Sequence, residues 1–238
     1  MDNSPAWALV DLAALTLTLP ALPIPAFFTD SQKQHAMQDA GAGMVVTDEV
    51  DRWIALYQDA EILSRLEVAG KVLHLLRVAP STGLHTAAKI TYTSGTTGQP
   101  KGVCLSAQAM WQVASAVHQA TQHPQHDRHF CILPLATLLE NVAGVYASLL
   151  AGATVILYSC EQVGFTGSQF DIQRLYAGLR ETQATTAILI PELLRALVML
   201  SKAGQPPVDS LRFLAVGGAR VSPALLLEAH ALGLPVYE

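Results

Sequence analysis

Along this chain the apolar residues change spacing again and again, from a helical period of three to four residues to short β-branched runs, and this switching constrains the fold most. An apolar helix around Trp7 to Leu17 leads into a short buried strand near Leu19 to Ile24. Asp30 caps a helix running to Ala40, stopped by Gly41 and Gly43, and Met44-Val45-Val46 reads as a strand. A helix from about Asp51 to Leu66 precedes the strands Lys71 to Leu76 and Lys89 to Thr93. Val103 to Leu105 is a further strand, and Ser106 caps a helix to about Thr121. Strand, helix and strand follow at 129 to 133, 138 to 150 and 153 to 158. A helix near 168 to 181, a strand Thr186 to Ile190, a helix Pro191 to Ser201 and a strand Leu211 to Val216 come next. The last helix opens on Ser222-Pro223, a good N-cap and first-turn pair. Such alternation predicts an α/β fold with largely parallel sheets flanked by helices and covered on both faces. There is no internal repeat, and the most linker-like stretches, Ala79 to Thr86 and Ala203 to Asp209, are short enough for surface loops.

With 51% hydrophobic and 14% charged residues the chain is too apolar to be disordered. A net charge of -5 without a basic run gives no reason to expect a nucleic-acid partner. Cys104, Cys131 and Cys160 form no C-x-x-C pair, which suits a reduced, cytoplasmic protein. Residues 142 to 160 carry no charge, but Ala151-Gly152-Ala153 divides them into a helix-like and a β-branched half, so a buried helix, turn and strand is expected instead of a membrane span. Pro20, Pro23 and Pro25 break the apolar stretch from Leu12 to Phe28.

The segment Ile90-Thr-Tyr-Thr-Ser-Gly-Thr-Thr-Gly-Gln-Pro-Lys-Gly-Val103 carries the chemistry. Five serine and threonine residues and two glycines fall within Thr91 to Gly98, followed by Lys101. Glycines let the backbone turn and approach a ligand, hydroxyls donate to phosphate oxygens, and the lysine supplies a compact positive charge. These are the needs of a triphosphate. The string is not a Walker A loop, because Pro100-Lys101-Gly102 stands where Gly-Lys-Ser/Thr is required, and it lacks the Rossmann Gly-x-Gly-x-x-Gly. A strand follows at once, so no helix N-terminus receives the phosphate.

YTSGTTGQPKG resembles the signature of the adenylate-forming (AMP-binding) superfamily, which includes acyl- and aryl-CoA synthetases, non-ribosomal peptide adenylation domains and luciferases. The resemblance implies that a phosphate loop at 91–103, with Thr93, Ser94, Gly95, Thr96, Thr97 and Gly98, wraps the β- and γ-phosphates of ATP. Lys101 lies on the same loop, and the Thr96 hydroxyl is near Mg²⁺. ILPLATLLENVAGVYASLLAGATV, Ile132 to Val155, resembles the segment whose front lines the acyl pocket in the acyl-CoA synthetase branch. Relatives often place a His just after this Leu-Pro-Leu; here Ala136-Thr137 stand there. Glu140 and Asn141 read equally as polar pocket residues or as a satisfied helix face. LRFLAVGGARVSPALL resembles the strand, turn and helix that pack against adenine, with Gly217, Gly218 and Ala219 in an adenine-side turn at 215–220. Two glycines there leave no side chain between the backbone and a flat base; on its own the same string is a tight strand-to-helix turn.

The resemblance covers most of the chain and implies the large N-terminal domain of an acyl-CoA synthetase-like ligase, present in part. The next family motif is expected directly after Val236-Tyr237-Glu238, and the small C-terminal domain with the catalytic lysine is absent from the sequence. The 238 residues are therefore expected to bind nucleotide weakly and not to turn over. In the intact family a small-molecule carboxylic acid is activated as an acyl-adenylate and passed to a thiol, coenzyme A being the expected acceptor. A non-catalytic remnant that binds nucleotide or a partner, and an adenylation domain serving a carrier protein, stay open as alternatives. His123, His126 and His129 invite a metal reading by spacing, but a polar loop with Pro124 reads better as a solvated turn before a strand. Trp7, Trp53 and Trp111 sit in helical patterns and read as packing residues.

Overall fold

The computed structural model describes residues 1–80, 86–93, 101–122, 124–166 and 169–238, in two compact units, Met1–Met110 and Trp111–Glu238. In the first unit α1 (Pro5–Thr16) starts on Ser4, whose hydroxyl accepts the Trp7 N–H, with Pro5 opening the first turn. The strand expected over 19–24 is reduced to a single bridge between Ala21 and Lys89. Pro20 and Pro23 on either side of Ala21 have no N–H to donate, so the ladder cannot extend. α2 (Asp30–Asp39) is capped by Thr29 in a reciprocal box with Gln32, and Asp30 falls in its first turn. β1 (Met44–Thr47) follows, then α3 (Val50–Leu56).

The helix expected to reach Leu66 ends ten residues early. β2 (Glu61–Val68) and β3 (Lys71–Arg77) instead form an antiparallel hairpin. Its turn residues, Ala69 at φ 47° and Gly70 at φ 76°, both take the left-handed conformation, as a two-residue turn that follows strand twist requires. Ile62 and Leu66, whose four-residue spacing imitates a helix face, are exposed on β2. The sheet runs β1-β3-β2, antiparallel throughout, and β4 (Lys89–Thr93) pairs antiparallel with β5 (Lys101–Leu105). The first unit thus departs from the parallel expectation, because its hairpin connections are too short for a crossover. Trp53 packs in its core with Met37, Val45, Leu76 and Val78, while Phe28, Ala36, Ile90 and Tyr92 form a second cluster. The Lys89 ammonium, buried on β4, lies 2.7 Å from Oδ1 of Asp11 on α1.

α4 (Ala107–Thr121) begins at Ser106, whose hydroxyl accepts the Ala109 N–H. The second unit then runs β6 (Arg128–Cys131), a π-helical segment Leu139–Tyr146 continuing into α5 (Ala147–Leu150), and β7 (Thr154–Leu157). Residues 142–160 are therefore helix, turn at Gly152, and strand, as expected, and among the described residues no helix is long and apolar enough to cross a membrane. α6 (Cys160–Val163) and the small hairpin β8 (Phe165–Thr166) and β9 (Gln169–Phe170) were not anticipated. α7 (Ile172–Glu181), β10 (Thr186–Leu189), α8 (Pro191–Lys202), β11 (Phe213–Val216), α9 (Pro223–Ala231) and β12 (Val236–Tyr237) complete it.

These strands form one parallel sheet in the order β12-β11-β10-β6-β7. The core gathers Phe130 and Ile132 from β6 and its exit, Leu189 from β10, Leu214 from β11, and helix residues Leu175, Leu179 and Leu194. At the amino ends of the strands Asp127 acts as a lock. Its Oδ1 accepts from the Thr185 hydroxyl at 2.8 Å and from Arg212 Nε at 2.7 Å, and Arg212 also pairs with Oδ2. Through these bonds Asp127 joins the residues preceding β6, β10 and β11, at the end of the sheet opposite the strands' carboxyl ends.

Candidate functional site

Chain order singles out one point along the carboxyl ends of these strands. From β6 the chain moves outward to β7, returns to β10 on the other side, and continues through β11 to β12. The reversal places a topological switch point between β6 and β10, and crevices outside the carboxyl ends of strands at such points are where open α/β sheets bind ligands. Beyond β10 comes Ile190, and beyond β11 come Gly217 and Gly218; the Gly217 N–H donates to the Leu189 carbonyl at 3.0 Å. Gly218 has φ 82°, a conformation that disfavours any side chain. A Cβ on Gly218 would lie 3.5 Å from Ile190 Cγ2 and 3.7 Å from Leu139 Cδ2, and one on Gly217 would lie 3.8 Å from the same Leu139 carbon. The Cβ sides of the two glycines therefore face Ile190 and Leu139 with about a methyl group's space between, while Gly218 and Ala219 are exposed. This suits a flat, apolar ring laid along bare backbone.

Beneath Leu139 sits a buried polar network. Glu140, next in the chain, is fully buried. Its Oε2 accepts the Ile132 and Leu133 N–H groups at 3.1 and 2.8 Å, just past the end of β6. Its Oε1 lies 2.9 Å from Nε2 of His129, and Nδ1 of His129 lies 3.0 Å from the Thr186 hydroxyl across the β6–β10 pairing. Gly144, one helical turn on, has no side chain because a Cβ would stand 2.4 Å from Oε1 and 2.7 Å from Nε2. Burial, then the Glu140 charge and a hydrogen bond to it, push the neighbouring Cys131 thiol well above its ordinary range. His129, Cys131 and Glu140 present metal-type ligand atoms within 4.8 Å of one another. The carboxylate is already occupied by the two backbone N–H groups, the His129 ring and the Cys131 thiol, however, and the Gly144 backbone closes the space beside it, so the group is built as a hydrogen-bond network.

Glu140 and Asn141, left between two readings by the sequence, are both buried, and Glu140 is satisfied by the protein's own donors. His129, expected in a solvated turn, is a buried strand residue; His126 is exposed and His123 lies outside the described residues. The signal for the pair was an ionisable residue on each of two apolar elements, Glu140 with Gly144 one turn on. Neither residue betrays its partner without the fold.

The phosphate-loop residues Ser94, Gly95, Thr96, Thr97 and Gly98, and the Mg²⁺ role given to Thr96, lie outside the described residues. The base of the loop is described. β4 and β5 pair with Thr93 opposite Lys101 and Tyr92 opposite Gly102, so the chain leaves and re-enters this hairpin side by side, with Lys101 at the point of return. Lys101 is exposed. A Cβ on Gly102 would lie 3.0 Å from Tyr92 Cζ, which shows that the tyrosine ring lies across the glycine. The Tyr92 hydroxyl donates to Asp39 Oδ2 at 2.6 Å and so anchors the hairpin to α2.

The family model for AMP-binding enzymes matches residues 1–238. The 2-succinylbenzoate–CoA ligase of Bacillus licheniformis is 32% identical over 66% of this chain and 30% of its own length. The indoleacetate–CoA ligase of Aromatoleum aromaticum is 29% identical over 67% of this chain and 29% of its own length. Among solved structures, O-succinylbenzoate coenzyme A synthetase from Bacillus subtilis in complex with AMP superposes with a TM-score of 0.70 at 19% identity, over 99% of this chain and 46% of that one. A long-chain-fatty-acid–CoA ligase from Archaeoglobus fulgidus gives 0.72 at 18% identity, over 98% and 47%. At those identities the structural likeness speaks to fold, and the chain spans less than half the length of each of these relatives.

Proposed function

The chain belongs to the AMP-binding enzyme family, and from that premise we propose that it is the nucleotide-handling part of an ATP-dependent acid–thiol ligase. The single observation that carries the reading is the hairpin register that sets Lys101 opposite Thr93. It puts an exposed ammonium where the hydroxyl- and glycine-rich residues 94–100 begin and end. That combination answers the charge of a polyphosphate.

In the proposed reaction a carboxylate oxygen attacks the α-phosphorus of ATP. The bond to the β-phosphate oxygen breaks, and pyrophosphate leaves with that electron pair. Lys101 and the hydroxyls of Thr93, Ser94, Thr96 and Thr97 hold and neutralise the leaving group, the usual protein contribution to phosphoryl chemistry. A bound Mg²⁺ supplies further charge neutralisation, with Thr96 as its proposed neighbour. Gly217, Gly218 and Ala219 offer bare backbone to the adenine. A thiol sulfur then attacks the acyl carbon and AMP departs, leaving a thioester; coenzyme A is the proposed thiol. The acid is proposed to be fatty or another acyl acid, on the resemblance of Ile132 to Val155 to the segment whose front lines the acyl pocket in acyl-CoA synthetases.

The test is exchange of labelled pyrophosphate into ATP across a panel of carboxylic acids, run on the full-length protein that contains these residues. Acid-dependent exchange supports the reading. Nucleotide binding without exchange for any acid would reduce it to a nucleotide-binding remnant.

A further inference from the structure

We propose that Glu140 is a positioning residue for this site. Oriented by His129, it fixes the exit of β6 and the start of the π-helical segment, and so holds Leu139 against Gly217 and Gly218. The claim rests on the proposed function only in naming adenine nucleotide as the ligand; the geometry stands apart from it.

The argument begins with what a buried carboxylate demands. Stripped of water, Glu140 must be compensated by donors, and two backbone N–H groups, the His129 ring and the Cys131 thiol supply them. Such a network adds little stability over a well-packed apolar core, but fully satisfied it admits one geometry. The parts tied together are two strand-exit amides and the first turn of a helix. Ile132 and Leu133 leave β6 at the switch point, and Glu140 is bonded to Leu139, whose Cδ2 is within 4 Å of where either glycine would carry a Cβ. A shift of the carboxylate is therefore carried to the glycine pair through one residue.

Two local features agree. The segment Leu139–Tyr146 is π-helical, a widened form that is rare and is found often at functional sites. Gly144 within it gives up its side chain to the same carboxylate. The Asp127–Arg212 ion pair ties the amino ends of the strands without involving Glu140, whose own link to the sheet runs through His129 to Thr186 across β6 and β10.

The test compares Glu140→Gln with Glu140→Asp in the ¹⁵N-labelled chain, with Leu139→Ala as reference. Glutamine keeps an oxygen for the Ile132 and Leu133 amides, and its amide group can face Nε2 while Nδ1–H turns to Thr186. Aspartate keeps the charge but is one methylene too short to reach both amides. The Gly217 and Gly218 amide resonances are expected to stay in place in Glu140→Gln. In Glu140→Asp they are expected to move in the same direction as in Leu139→Ala, with Thr185 and Arg212 unmoved. AMP titrated on those resonances is expected to bind Glu140→Gln as it does the parent chain and Glu140→Asp about tenfold more weakly, in keeping with the sensitivity of a site to ~1 Å displacements. A Glu140→Asp chain that melts earlier but leaves both glycine resonances in place would overturn the proposal. Should that variant not fold, His129→Asn, which keeps a partner for Thr186 but withdraws the donor from Oε1, is read by the same resonances in the same way. The resonance comparison needs no ligand, so a chain that ignores AMP refutes the nucleotide reading while the shifts still decide the role of Glu140.

Discussion

Nε2 of His129 stands 2.9 Å from Oε1 of Glu140, with the α-carbon of Gly144 so close that a methyl group on it would come within 2.4 Å of the same oxygen. Neither group can yield cheaply, because Glu140 is held by two further N–H bonds and His129 is paired to Thr186. Gly144→Ala is therefore expected to lower stability by about 1–3 kcal/mol, the usual cost of overpacking, and Tm by roughly 2–4 °C per kcal/mol. Thermal unfolding followed by circular dichroism checks this. An unchanged Tm would mean that the carboxylate has room to step aside.

The Lys89–Asp11 pair offers a second test, this time of the strand that leads to the phosphate loop. Burial holds the Lys89 ammonium below its ordinary pKa, and the Asp11 charge and hydrogen bond oppose that fall. Asp11→Asn leaves a buried cation without its carboxylate and is expected to destabilise by about 3–5 kcal/mol. Asp11→Leu combined with Lys89→Met removes both charges and is expected to recover most of the loss. Urea unfolding of the three proteins decides. A double variant no more stable than Asp11→Asn would show that the pair is not what matters there.

The second unit was the more legible half in the sequence, because its strands are short apolar runs and its helices carry their own start signals, such as Pro191 and Ser222-Pro223. The first unit misled where local pattern and pairing disagree. Ile62 and Leu66 keep a helical spacing on a strand, and the turn at Ala69-Gly70, which decides the matter, lacks the Asn or Asp that usually announces it. At the site the reverse holds. The loop string stood out by its chemistry and the Gly-Gly turn only through the family resemblance, whereas the Glu140–His129 pair spans eleven residues and two elements and carried no such signal. Only the return of the helix onto β6 makes Gly144 necessary.

Tyr92 gives the hairpin a pH signature. Burial first, then the hydrogen bond to Asp39 and the charges of Asp39 and Cys104, raise its hydroxyl above the ordinary value of 10.0. The folded protein keeps this proton at pH values where the unfolded chain has lost it. The contribution is therefore complete below about pH 10 and declines as pH rises beyond it. Tyr92→Phe removes a hydrogen bond to a carboxylate and is expected to cost about 1.5–3 kcal/mol at neutral pH. The gap between the two proteins should narrow above pH 10. Denaturation measured from pH 8 to 11 tests this, and a gap that stays constant would place the proton's stabilisation elsewhere.

Lys101 separates binding from folding. It is exposed at the foot of the β4–β5 hairpin, so its removal leaves no buried partner unsatisfied, and Lys101→Ala should unfold within about 0.5 kcal/mol of the parent chain. If the loop it closes receives a polyphosphate, the same change removes a charge-assisted hydrogen bond worth about 1.5–3 kcal/mol, or roughly ten- to a hundredfold in ATP affinity. AMP has no β- or γ-phosphate and should be affected far less, by about threefold at most on this reading. Lys101→Arg retains the charge but trades a compact ammonium for a planar fork, and should fall between the two. Isothermal titration of ATP and AMP against the three proteins makes the comparison. Equal losses for both nucleotides, or none for either, would remove Lys101 from the phosphate end of the site and with it the observation on which the ligase reading stands.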